Sequence, residues 1–135
     1  MVVIVCVDDR YGMLFNHRRQ SSDSAVVERI LSLTDGKRLW MNSYSQSVFP
    51  ENAELSICED FMKSAPVGDY CFLENRDVRP YLDCVEKFIL FRWNRKYPFD
   101  LSFPVGELEK NWRLNWSEDF RGNSHECITM EVYCR

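Results

Sequence analysis

No two of the six cysteines stand at C-x-x-C spacing, and His17 and His125 are the only histidines. The clustered ligands of a zinc site are therefore missing. So are the H-E-x-x-H and H-x-H-x-D-H patterns of metallohydrolases. Acidic residues are dispersed along the chain, which leaves no carboxylate cluster for a metal-dependent nuclease. No metal is expected. No apolar run approaches the roughly 20 residues that a membrane-spanning helix needs, so no membrane partner is expected either. Basic charge is not in excess: 17 Lys and Arg face 21 Asp and Glu, for a net charge of -4. That balance weighs against nucleic acid as a partner, because neutralising phosphates needs a basic face. Repeats, linkers and low-complexity tracts are also lacking.

What remains describes one folded domain over residues 1–135. Hydrophobic residues make up 45% of the chain, with nine Phe, six Tyr and four Trp, enough to build a core. The opening stretch, apolar from Met1 to Val7, then meets Asp8-Asp9 and has no basic start. It is expected to be a buried first strand rather than a signal peptide, with the cytoplasm as the expected location. Cys6, Cys58, Cys71, Cys84, Cys127 and Cys134 are scattered. Cys6 and Cys71 lie inside apolar runs, where a thiol acts as a small hydrophobe. Reduced cysteines are expected.

Val2–Val7 is a continuous β-branched run, the pattern of a strand covered on both faces. Tyr11–Gln20 is predicted to be a loop. Ser22 or Asp23 can cap a helix whose apolar positions Val26, Val27, Ile30, Leu31 and Leu33 recur at helical spacing until Asp35-Gly36. Lys37–Met41, Leu55–Cys58, Tyr70–Leu73 and Phe88–Trp93 are predicted strands. Asn42–Ser47 is a polar turn or short helix start, Glu59–Ser64 one or two helical turns, and Asp77–Val85 a helix limited by Pro80. Trp112–Trp116 and Cys127–Tyr133 are predicted to form an antiparallel hairpin at the sheet edge. Helices alternating with apolar strands imply a three-layer α/β domain, its central sheet mostly parallel with antiparallel C-terminal edge strands.

Several short segments occur in an order seen in one family. They are Val5-Cys6-Val7-Asp8 with Gly12 and Asn16; Thr34-Asp35-Gly36-Lys37 before the strand ending in Met41; and Pro80-Tyr81 before Lys87–Leu90. Asp100-Leu101-Ser102-Phe103-Pro104 follows, then Asn123-Ser124-His125 with Glu131 and Arg135. Together they span nearly the whole chain, which resembles dihydrofolate reductase. The resemblance implies that family's fold and, in an ordinary member, reduction of dihydrofolate by NADPH.

The departures fall on the cofactor half. Where the resemblance implies Gly-Gly after Tyr70–Leu73, this chain has Glu74-Asn75. Where it implies Gly-Arg-Ser/Thr after Met41, the chain has Asn42-Ser43-Tyr44, without the arginine that pairs with phosphate. Tyr44–Leu55 is too short for the segment that grips adenosine. A carboxylate at position 74 would repel a pyrophosphate, and no cofactor is expected.

On the substrate half, the family's acidic residue falls on Asp23 if the helix begins a turn early, and on Val26 if the residues are counted back from Thr34. Asp23 is also an ordinary helix N-cap. The family's threonine on the neighbouring strand corresponds to Phe91. His17, Arg18 and Arg19 fall in the segment that lies over the active site in the family, near Asn42, Ser43 and Tyr44, and arginines there could hold an anion. The alternative is a solvated loop balancing acids such as Asp8 and Asp9. The run Phe91–Tyr97, with Arg92, Arg95 and Lys96, could stack on bases, but it also fits one strand with an apolar and a basic face.

Two functions are carried forward. The first is a pseudo-enzyme or repurposed binding module whose crevice takes a small anionic ligand or a protein partner through His17, Arg18, Arg19, Asn42, Ser43, Tyr44, Glu74 and Asn75. The second is a divergent oxidoreductase, using NADPH and Asp23 as its proton-relay carboxylate, acting on dihydrofolate or a related pterin.

Overall fold

The computed structural model describes residues 1–135. Strand β1 (Val2–Val7) lies at the centre of a seven-stranded sheet. Its unbroken apolar sequence follows from that position, since a central strand in a parallel sheet buries both faces. Strands β2 (Gly12–Phe15) and β3 (Arg18–Arg19) follow, then helix α1 (Ser24–Leu33), strand β4 (Leu39–Met41) and the single turn α2 (Ser43–Gln46). Next come β5 (Ser56–Ile57), α3 (Phe61–Ser64), β6 (Tyr70–Leu73), a 3₁₀ helix (Arg79–Cys84) and β7 (Lys87–Arg92). The chain closes with β8 (Leu101–Ser102), α4 (Val105–Asn111), β9 (Arg113–Phe120) and β10 (Ile128–Cys134).

The sheet order is β5-β4-β6-β1-β7-β10-β9. All contacts from β5 to β7 are parallel, while β10 runs antiparallel to β7 and β9 antiparallel to β10. This is the mixed architecture expected from the sequence pattern. Two cores sandwich the sheet. One collects the Val3, Val5, Phe88 and Leu90 face against Phe61, Leu108 and Trp112. The other collects Ile4, Phe72, Ile89 and Phe91 against Val26 and Ile30 of α1. Alternate residues of β1 and β7 serve opposite cores, as a strand's two-residue period requires.

Three stretches differ from the sequence-based expectation. Tyr11–Gln20 is a hairpin rather than a loop, with Phe15 paired to Arg18 across the two residues Asn16 and His17. Both take left-handed backbone angles, φ 51° and 62°. That is the geometry of a type I′ turn, whose twist suits a hairpin; asparagine tolerates it, but the glycine that usually announces it is absent. β2 also pairs with β8, giving a separate three-stranded sheet, β3-β2-β8. Helix α4 was not anticipated, because Leu108 is its one fully buried anchor and it shows no apolar periodicity. The segment Asp77–Val85 winds as a 3₁₀ helix with Pro80 in its first turn and no buried residue. The six cysteines are all free.

Candidate functional site

In open parallel sheets the usable crevice lies beyond the carboxyl ends of the strands. Here Asn42 follows β4, Glu74 and Asn75 follow β6, and Asp8 follows β1, with α1 and the β2–β3 hairpin alongside. The side chains after β4 and β6 bond to each other and to Arg19 of the hairpin. Arg19 donates from Nε to Glu74 Oε2 at 3.0 Å and from Nη2 to Glu74 Oε1 at 3.1 Å, a two-pronged pair. Its Nη2 also reaches the Tyr44 carbonyl at 3.2 Å, and the guanidinium lies 4.8 Å from the centre of the Tyr44 ring. Ser45 Oγ donates to Glu74 Oε1 at 2.8 Å. The Glu74 hydrogen bonds raise the Arg19 pKa beyond its already high value. Beside this pair, Asn42 Nδ2 donates to Asn75 Oδ1 at 2.8 Å, while Asn42 Oδ1 is buried with no protein donor.

Of the residues singled out from the sequence, the fold thus gathers Arg19, Asn42, Tyr44, Glu74 and Asn75. Ser43 turns outward, where its backbone N–H donates to Glu59 at 2.9 Å. His17 and Arg18 are exposed at the hairpin tip. Arg18 and Arg19 point to opposite sides of β3, so only Arg19 reaches the crevice. Arg92, from the aromatic and basic run, lies 4.5 Å from the Tyr11 ring centre and 3.6 Å from Glu131.

Asp23 sits at the N-terminus of α1, where its Oδ1 accepts from the Ala25 N–H at 2.9 Å and caps the helix. It also accepts from the backbone N–H groups of Asn123 and Ser124, both at 2.8 Å, and from His125 Nδ1 at 2.9 Å. Its side chain is fully buried. Burial alone would raise its pKa, but the hydrogen bonds from Asn123, His125, Ser124 and Ala25 outweigh it and hold the carboxyl far below the usual range. Val26, the other position considered for an acid, is a buried core residue one turn on.

His125 is the residue that sequence reading missed. Its ring stacks on Trp93 with centroids 4.7 Å apart and an interplanar angle of 24°. Because Asp23 is ionised and faces Nδ1, the neutral ring carries its proton on Nδ1 and turns its lone pair at Nε2 to Ser21. Ser21 Oγ lies 3.0 Å from that Nε2, and the Tyr97 hydroxyl 3.4 Å from it. The available signal was a histidine after Asn-Ser in a chain with only one other. Asp8 was also under-read. Fully buried, it accepts from the backbone N–H groups of Arg10, Gly12 and Tyr97 and so joins the ends of two loops. Burial opposes its ionisation, but those bonds prevail and keep its pKa low.

Two connected spaces adjoin Asp23. An inner cleft bounded by Cys6, Arg19, Ser21, Asp23, Glu74 and Trp93 holds only about 20 Å3, room for one water-sized molecule. It opens on an outer groove of about 350 Å3 along α1, whose walls include Val27, Leu31, Val48 and Pro50. Burial first, then the Glu74 charge, pushes the Cys6 thiol far above its ordinary pKa, so it stays protonated.

Gly122 makes the Asp23 clamp possible. A Cβ there would lie 2.6 Å from Asp23 Oδ2 and 2.8 Å from the His125 carbonyl oxygen. Gly122→Ala is therefore expected to destabilise the protein by about 1–3 kcal/mol through overpacking, read as a lower urea midpoint at unchanged slope.

No family model matches the sequence, and no curated protein sequence does. Solved structures do. Dihydrofolate reductase from Enterococcus faecalis, complexed with NADP(H) and RAB-propyl, superposes with a TM-score of 0.71 over 99% of this chain and 95% of that one, at 8% identity. The chain therefore has the dihydrofolate reductase fold. At that identity the likeness establishes the architecture and nothing finer. No helix is long and apolar enough to cross a membrane.

Proposed function

We propose that this protein keeps the reductase fold but has given up dinucleotide redox chemistry, and that its crevice serves as a binding site for a small ligand or a protein partner. The observation that carries this reading is the Arg19–Glu74 pair. Glu74 and Asn75 occupy the ledge where the resemblance calls for glycines, and Glu74 is neutralised by Arg19 and bonded to Ser45. A pyrophosphate seated there would meet a carboxylate and have to break a half-buried, charge-assisted contact first. The residues present do not fit NADPH.

The same pair bears on the ligand's charge. Arg19 already has its anion, so an anionic ligand would have to displace Glu74. The outer groove, with its apolar wall, favours instead a largely apolar ligand. The reductase reading gains no support from Asp23. Its oxygens are committed to Ala25, Asn123, Ser124 and His125, which leaves it poorly placed to bond a pterin.

The test is a turnover assay. Purified protein mixed with NADPH and dihydrofolate is expected to leave the absorbance of the reduced nicotinamide unchanged against buffer. Oxidation that scales with protein concentration would overturn the proposal.

A further inference from the structure

We propose that Ser21, His125 and Asp23 form a nucleophile–base–positioning array, and that the crevice cleaves small carboxylic esters with an apolar acyl group by acyl transfer to Ser21. The inference rests on the reading above, since it needs a crevice free of dinucleotide, and it names the chemistry of that site.

The geometry has the connectivity that serine acyl transfer requires. Ser21 Oγ is 3.0 Å from His125 Nε2, and His125 Nδ1 is 2.9 Å from Asp23 Oδ2. Asp23, ionised and held by the backbone N–H groups of Ala25, Asn123 and Ser124, fixes the tautomer that leaves Nε2 basic. Trp93 stacked on the imidazole and Ser124 Oγ at 3.2 Å from Nδ1 keep the ring from turning. A purely structural histidine needs the Asp23 bond and the Trp93 stack. It does not need its second nitrogen aimed at a hydroxyl that borders an open cleft.

The surroundings supply the other requirements. Ser21 is half-buried and lines the inner cleft, which has room for a carbonyl group but little more. The outer groove continues from it through shared walls at Ser22, Asp23, Val27 and Val48, and its Leu31 and Pro50 lining suits an acyl chain. The backbone N–H groups of Ser21 and Ser22, residues of the cleft wall, donate to no protein acceptor, and the proposal assigns them to the oxyanion of the tetrahedral intermediate. The one thiol lining the inner cleft, Cys6, is held in its protonated form and does not compete as nucleophile.

In the first half-reaction a bond forms from Ser21 Oγ to the acyl carbon, and the hydroxyl proton passes to His125 Nε2. The bond to the alcohol oxygen then breaks, and the alcohol leaves with that proton. In the second, water attacks the acyl-Ser21 carbon, His125 takes the water's proton, and the acid departs as the proton returns to Ser21 Oγ. The net change is ester plus water to acid plus alcohol. Asp23 touches no substrate and acts as a positioning residue.

The experiment treats the full chain with a fluorophosphonate probe and p-nitrophenyl butyrate. Wild type should gain one phosphonyl adduct, mapped by peptide mass to Ser21, and should hydrolyse the ester above the buffer rate. Ser21→Ala should lose both, with its circular dichroism unchanged. Asp23→Asn keeps an oxygen for the backbone donors but favours the wrong imidazole tautomer. It should lower kcat with KM unchanged, by about 10²-fold or more. With kcat expressed per folded molecule, counted by circular dichroism, loss of stability alone would not produce that drop. An unlabelled Ser21 in folded protein, or ester hydrolysis that persists in Ser21→Ala, would overturn the inference and leave the functional proposal standing. NADPH oxidation with dihydrofolate would instead defeat that proposal, whatever the probe shows.

Discussion

Asp23→Ala should lower the stability of the protein by about 3–5 kcal/mol at neutral pH, with loss of the α1 N-cap as one part of the cost. A cap is worth about 0.5–2 kcal/mol by itself. Asp23 also satisfies the Asn123 and Ser124 N–H groups and the His125 ring, and each buried donor left unpaired costs about 1–3 kcal/mol before relaxation and water entry reduce the sum. Against a typical total of about 5–15 kcal/mol, one substitution would remove a large share of the stability. The pH dependence follows from the depressed pKa. The folded carboxyl ionises below its unfolded value of about 3.9, so the contribution is fully present above that pH and is lost as pH falls through the folded value. The gap between wild type and Asp23→Ala in urea denaturation should therefore be constant from neutral pH down to about 5 and narrow below about 4. A gap that stays constant through pH 3 would show that the carboxylate's charge contributes nothing.

Phe88→Ala is the second large effect, expected at about 3–5 kcal/mol. Phe88, the second residue of β7, is completely buried, beside Val3 on one neighbouring strand and Tyr133 on the other. Its ring meets Phe103 edge-on at 5.2 Å and Trp112 at 5.0 Å. The substitution would leave a cavity bounded by a sheet on one side and two aromatic rings on the other, neither able to collapse fully. Removing two edge-to-face contacts adds about 0.5–1.5 kcal/mol each beyond the area term. Trp116, of larger size but 53% exposed on the edge strand β9, is the control. Trp116→Ala should change stability by no more than about 0.5 kcal/mol. Equal losses at the two sites, measured by chemical denaturation, would contradict the placement of the core.

The central architecture was readable because burial on both sides of a sheet leaves a dense apolar signature. Val2–Val7 and Tyr70–Leu73 match their predicted bounds, and the spacing of Val26 and Ile30 located α1. Legibility declined where backbone geometry or long-range pairing replaced hydrophobic pattern. The β2–β3 hairpin turns on left-handed Asn16 and His17 rather than a glycine, and α4 buries one side chain completely. The site divided in the same way. Glu74 and Asn75 could be placed on the crevice ledge by their position after a recognisable strand. Their partners could not, since Arg19 is 55 residues from Glu74 in sequence. His125 and Asp23 are 102 residues apart, and neither lies in an apolar pattern that would bring them together. The His17-Arg18-Arg19 cluster offered arginines that could hold an anion or, alternatively, a solvated loop, and strand alternation sends Arg18 and Arg19 to opposite sides.

The Arg19–Glu74 ion pair gives the proposed function its physical basis: in that proposal the protein fills with its own acid and base the place a dinucleotide would need. Calorimetric titration of NADPH into the purified chain addresses this most directly. The expected result is no saturable heat up to millimolar cofactor. A stoichiometric isotherm with micromolar or tighter affinity would mean that Glu74 yields its place to phosphate, and would contradict the proposed loss of cofactor binding.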